Sequence, residues 1–181
     1  ELITREELAT HLREGLKDDR ETVLSTQQLY ITLGILQGDA DYYELLLALY
    51  GEGVTGFFDT DEEKLYVVND APEFGPSDSV TYAHEFVHGL HQQHFDIRSI
   101  GKSLEDNADR NRAFRGLVEG DATIAETLYM FEVMDEIERA EAQQVAQNAS
   151  MEVFLSAPHV VQRTVTFPYR EGARFVASLY L

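Results

Sequence analysis

Apolar side chains recur at helical spacing through residues 22–37, at Val23, Leu24, Leu29, Leu33 and Leu36, and Gly38-Asp39 stops them. Upstream, Thr4-Arg5-Glu6-Glu7 has the hydroxyl-to-carboxylate spacing of a capping box and predicts a helix to about Asp18. Residues 41–50 form another apolar helix, closed by Gly51-Glu52-Gly53. The pattern then changes. Residues 54–59 and 64–69 are short β-branched and aromatic runs around the polar turn Thr60-Asp61-Glu62-Glu63, which predicts a hairpin. Pro72 and Gly75-Pro76 break the chain, and Ser77-Asp78-Ser79 offers N-caps for the next helix. Gly101-Lys102-Ser103 reads as a loop. Residues 104–148 are helical throughout, with a kink expected near Gly116 or Gly120. Pro158 and Pro168 bracket one more segment, and residues 171–181 read as a final helix. The expectation is an α+β fold, mostly helical, with a small antiparallel sheet, as one domain over residues 1–181.

The charge is -19, from 33 acidic against 14 basic residues. That argues against nucleic acid and anionic membrane as partners and favours a soluble protein that attracts cations. No apolar run approaches the roughly 18 residues of a membrane span. Cysteine is absent, which excludes a disulfide scaffold, a thiolate metal site and a cysteine nucleophile. The start at Glu1, without Met, and the apolar end predict a chain trimmed at one or both ends. An extracytoplasmic or secreted location is the expectation.

Four of the six histidines fall in residues 81–96, and His84-Glu85-Phe86-Val87-His88 spells H-E-x-x-H. On a helix His84 and His88 stand one turn apart, about 40° around the axis and roughly 6 Å along it, so both imidazoles reach one ion. Glu85 points to another side and reaches a water on that ion, the placement of a general base in zinc hydrolases. Catalytic zinc takes three protein ligands. His91 shares the face but lies roughly 10 Å beyond His84 along the axis. His94 has the metzincin spacing, but His91 stands where that motif has its helix-breaking glycine, and no Met-turn is evident. A metzincin-like site with His94 as third ligand is the lesser alternative.

A distant carboxylate fits better. Glu119 lies in Leu117-Val118-Glu119-Gly120-Asp121-Ala122-Thr123, on a second predicted helix. Its glycine and alanine allow close helix approach, and Leu117, Val118, Ala122 and Ile124 suggest burial. A buried carboxylate needs a partner, and a zinc ion serves.

These blocks, together with Gly56-Phe57-Phe58-Asp59, Leu65-Tyr66-Val67-Val68, Gln93-His94-Phe95-Asp96 and Phe167-Pro168-Tyr169, resemble the gluzincins, the group that includes thermolysin, and more closely bacterial proteins of the gluzincin-like peptidase MA type. The resemblance spans residues 56–169, and only the zinc motif is strongly specific. It implies a zincin-like fold, one zinc per chain on His84, His88 and Glu119, Glu85 as base, and a peptide or protein substrate. One position departs: thermolysin-like enzymes place an aspartate four residues after the third ligand to orient a histidine, and here that residue is Thr123.

The oxyanion needs a further donor, for which Tyr169, Arg170 and His159 are candidates, with Tyr169 preferred. Residues 64–69 would accept a substrate strand if they form an exposed edge. His91 is expected to support the site or bind a second cation, His94 to finish the helix, and Asp96 to accept a ligand histidine's free N–H. The reading is a zinc metallopeptidase. Its alternatives are a catalytically inactive protein with the metallopeptidase fold, used for binding or structure, and a histidine-rich metal carrier.

Overall fold

The computed structural model describes residues 1–71 and 73–180. Pro72, expected to break the chain, and Leu181, expected to end the last helix, lie outside the described residues, as does the Asp18 side chain. Among the described residues the fold is mostly helical with one small three-stranded sheet.

Helix α1 (Arg5–Asp18) starts at the capping box. The Glu7 amide donates to Thr4 Oγ1 at 3.2 Å, and the Thr4 amide donates to Glu7 Oε2 at 2.8 Å. Just before it, β1 (Leu2–Ile3) pairs in parallel with β3 (Lys64–Val68), which pairs antiparallel with β2 (Gly56–Asp59). The expected antiparallel hairpin is present as β2 and β3, and the unexpected β1 makes the sheet mixed, in the order β1-β3-β2. Two residues are too few to show strand periodicity, so β1 left no pattern in the sequence.

The central strand is buried on both faces, as its unbroken apolar run requires. Tyr66 and Val68 pack with Ile3 and Leu8 toward α1. The alternate residues face α4 (Pro76–Phe95), where Gly89 leaves room for the Phe58 ring; a Cβ there would meet it at 3.3 Å. A second core joins α2 (Arg20–Thr32) and α3 (Tyr42–Gly53) to Ala157 and Val161 through Val23, Tyr42, Leu46 and Leu49. Helix α2 ends at Thr32 and not near residue 37, because the chain turns at Gly34 with φ 69°.

The cap of α4 is Gly75 rather than Ser77-Asp78-Ser79. Asp78 folds back to accept the Gly75 amide at 2.8 Å, and Pro76 begins the helix. Gly101-Lys102-Ser103 is not a loop but the end of α5 (Ile97–Ser103), which Asp96 caps by accepting from the Ser99 amide at 3.3 Å. The expected long helix is two: α6 (Ala108–Glu132) and α7 (Glu136–Asn148). The break comes at Asp135, which accepts the Ile137 and Glu138 amides at 2.8 and 2.9 Å, and not at a glycine. After the short α8 (Glu152–Ser156), α9 (His159–Ala177) continues past Pro168, which lies inside it.

Helices α6 and α9 run parallel: Gly116 faces Phe167 and Gly172, and Asp121 faces Tyr180. Their backbones touch. A Cβ at Gly120 would enter the Gly172 carbonyl, and one at Gly172 would enter the Gly116 carbonyl. The glycine after Glu119 thus admits α9, not the histidine helix. No helix among the described residues is long and apolar enough to cross a membrane.

Candidate metal centre

Among the described residues, the only buried polar or charged side chains are His84, Glu85 and His88, at 8, 7 and 8% exposure. Helix α4 carries them between the sheet and α6. One ligand atom from each lies within 4.8 Å of the others, so the three form a group that can hold a metal ion. The two imidazole rings meet edge to face, centroids 4.9 Å apart.

Helix α6 adds two carboxylates. Glu119 Oε2 lies 3.2 Å from His84 Nε2 and 3.3 Å from His88 Nε2. Ligand atoms at about 2.0–2.1 Å from a tetrahedral ion stand about 3.3–3.4 Å apart, so one oxygen equidistant from two ring nitrogens has the edge length of such a site. Charge-assisted hydrogen bonds are shorter, about 2.7–2.9 Å. Glu126 Oε2 sits 2.9 Å from the other nitrogen of His84, Nδ1. It is seven residues after Glu119, two turns along the same face. Glu126 therefore orients His84, a task for which Thr123 lacks the chemistry. Thr123 only returns its hydroxyl to the Glu119 carbonyl at 2.7 Å. Reading α6 by its seven-residue repeat from Glu119 would have found Glu126.

The electrostatics converge on a cation. Burial alone would lower the pKa of His84, but the carboxylates of Glu119 and Glu126 raise it to about 10. Burial opposes ionisation of Glu119, yet the His84 and His88 imidazoles bring it down to about 2. Two carboxylates thus favour positive charge at His84. Glu85 behaves differently. Burial pushes its carboxyl up, and the neighbouring His88 and His84 offset this in part. The nearby Phe58 main chain on β2 offsets it a little further. The donor set of two imidazoles and a converging carboxylate fits a divalent cation.

Of the three expected oxyanion donors, Tyr169 reaches the site. Its ring lies 6.1 Å from that of His84; the residue keeps 46% exposure, while the atoms crowded around its hydroxyl and the charge of Glu119 push its phenol pKa up. Arg170 pairs instead with Glu171 at 3.3 Å, and His159 lies ten residues upstream on α9, roughly 15 Å along the axis. Helix α4 continues unbroken to Phe95 and leaves His94 exposed, so His94 does not approach the pair. His91 Nε2 meets Asp121 Oδ2 at 2.8 Å and bridges α4 to α6. Asp96 accepts from the Ser99 amide and Gln92 rather than from a ligand histidine. Leu117, expected inside, is 44% exposed, whereas Ala122 is fully buried. The exposed-edge expectation also moves: β3 is central, and β2 is the edge beside Glu85. No protein-family model, curated protein or solved structure matches the chain.

Proposed function

We propose that the protein is a zinc-dependent peptidase of the gluzincin type, with a zincin-like fold. One observation carries the reading: Glu119 Oε2 is nearly equidistant, at 3.2 and 3.3 Å, from the ring nitrogens of an H-E-x-x-H pair buried on α4. His84, His88 and Glu119 would hold the ion, with nitrogen and oxygen donors of the kind zinc takes at catalytic sites. When bound, zinc supplies Lewis acidity that lowers the pKa of water toward about 7.

The chain's own residues divide the remaining work. Glu126 accepts the Nδ1 proton of His84 and so turns the Nε2 lone pair inward. Glu85 takes the proton of the attacking water and hands it to the departing amine. Burial raises its carboxyl above the ordinary carboxylate value, which favours its holding the proton between the two transfers. The Tyr169 hydroxyl, held protonated, donates to the carbonyl oxygen as negative charge develops there. Among the described residues strand β2 has one edge on β3 and the other free of strands, and its Phe58 main chain lies near Glu85. An extended peptide added to that edge would run past the base.

The test is cleavage of a mixed peptide library by the zinc-loaded protein and by Glu85→Gln at equal zinc content. The expected outcome is hydrolysis by the wild type and a loss of about 10²–10⁴-fold in the variant. Equal rates would remove Glu85 as base. No cleavage by either protein would remove the peptidase reading and leave a metal-binding protein.

A further inference from the structure

A second feature lies on the same pair of helices, upstream of the metal centre. A cavity of about 350 Å³ is lined by Arg112 of α6 and by His159, Val160, Arg163, Thr164 and Phe167 of α9. It is a basic place in a chain of net charge -19. Six of the other twelve lysines and arginines are engaged by a carboxylate or by main-chain carbonyls. Lys64 pairs with Glu62, Arg98 with Asp61, and Arg170 and Arg174 with Glu171, while Arg5 and Arg139 bond main-chain carbonyls. Among the described residues Arg112 and Arg163 have no carboxylate partner, and His159 makes no side-chain hydrogen bond. Phe167 and Val160, each 37% exposed, supply an apolar wall.

Position ties the cavity to the site. Arg112 is seven residues before Glu119, on the same face of α6 and about 10 Å along its axis. Arg115 stands between them, close enough to Tyr169 for its charge to oppose the rise of that phenol's pKa. An extended peptide advances about 3.3 Å per residue, so the interval equals about three residues. The ligand class follows from charge. Two guanidinium groups and an imidazole fit a carboxylate. The acidic remainder of the surface repels a long polyanion, which leaves a single acidic side chain on a short peptide.

We propose that this cavity is a subsite for an aspartate or glutamate side chain of an extended peptide, about three residues from the bond that is cleaved. The inference rests on the peptidase reading for its register, and its test separates the two. Fluorescent hexapeptides with one glutamate moved through the sequence, and their glutamine counterparts, are titrated against the zinc-loaded full chain by anisotropy and then followed for cleavage. The expected result is about tenfold tighter binding of one glutamate register over its glutamine twin. That ratio falls toward one in Arg112→Gln/Arg163→Gln and in roughly 0.5 M salt. Charge reversal, Arg163→Glu, should turn the preference toward a lysine peptide, an outcome that loss of folding cannot produce. Equal binding of glutamate and glutamine peptides, or a ratio unmoved in the arginine variants, would overturn the subsite even if peptides are cleaved. Register-selective binding without cleavage would uphold the anion site and overturn the peptidase reading.

Discussion

His84 is the residue on which the account turns, because a carboxylate faces each of its ring nitrogens, Glu119 at 3.2 Å and Glu126 at 2.9 Å. A neutral imidazole can donate from only one nitrogen, so the second carboxylate requires either an extra proton or a metal ion at Nε2. Glu126 therefore acts through His84 and should be separable from the ligands. The substitution Glu126→Gln keeps the shape and an acceptor but removes the charge. It should weaken zinc binding by about ten- to a hundredfold without abolishing it, as read by competition with a chromogenic chelator. Unchanged affinity would make Glu126 a bystander.

At the scale of elements, the site exists because α9 and α6 touch backbone to backbone. That contact brings Tyr169 beside His84 and sets the position of α6. A side chain at Gly120 has nowhere to go, since the Gly172 main chain occupies the space of its Cβ. Gly120→Val should cost about 2–4 kcal/mol and lower the melting temperature by several degrees, measured by thermal denaturation of the metal-free protein. A melting temperature equal to wild type would mean that the helices part easily.

A second element-scale prediction concerns acid. Glu52, at the end of α3, accepts from Ser150 Oγ at 2.7 Å and from the Phe154 and Val153 amides at 2.9 and 3.1 Å, tying down the start of α8. The Ser150 hydroxyl chiefly, and then these amides, hold its pKa below the ordinary 4.5. A carboxyl depressed in the folded state contributes stability above its unfolded pKa and loses it as pH falls through the folded value. Glu52→Gln should therefore lose stability at neutral pH and show a shallower decline below about pH 4.5 than wild type. Urea midpoints across that range are the measurement, and parallel curves would contradict it.

Much of this architecture was legible in local chemistry, and the failures share a cause. The Thr4–Glu7 box, the hairpin and the H-E-x-x-H helix are written in contacts a few residues apart. The approach of Glu119 could be argued because a carboxylate among apolar neighbours needs a cation. Strand β1 escaped because it consists of two residues and pairs with a strand more than sixty positions away. Gly116 and Gly120 suggested a kink because their partner, Gly172, lies far along the chain. Pro168 suggested a boundary because the packing that tolerates it within α9 is tertiary. Glu126 was legible by its seven-residue spacing from Glu119, whereas the position four residues along, Thr123, has no carboxylate.

Across the whole molecule, a strongly acidic chain places its only buried polar or charged side chains, among the described residues, at one point between a sheet and two helices. Burying a histidine pair and a glutamate with further carboxylates costs stability unless a cation completes the set. Metal and fold are then linked: an ion that binds only the folded state stabilises it by about 2.7 kcal/mol at a hundred times its dissociation constant. The most direct test is the zinc content of protein stripped by chelator, reloaded and washed, measured by elemental analysis for wild type and Glu119→Ala together. The expected result is one zinc per chain in the wild type and almost none retained by the variant. Zinc held equally by both proteins, or by neither, would contradict it.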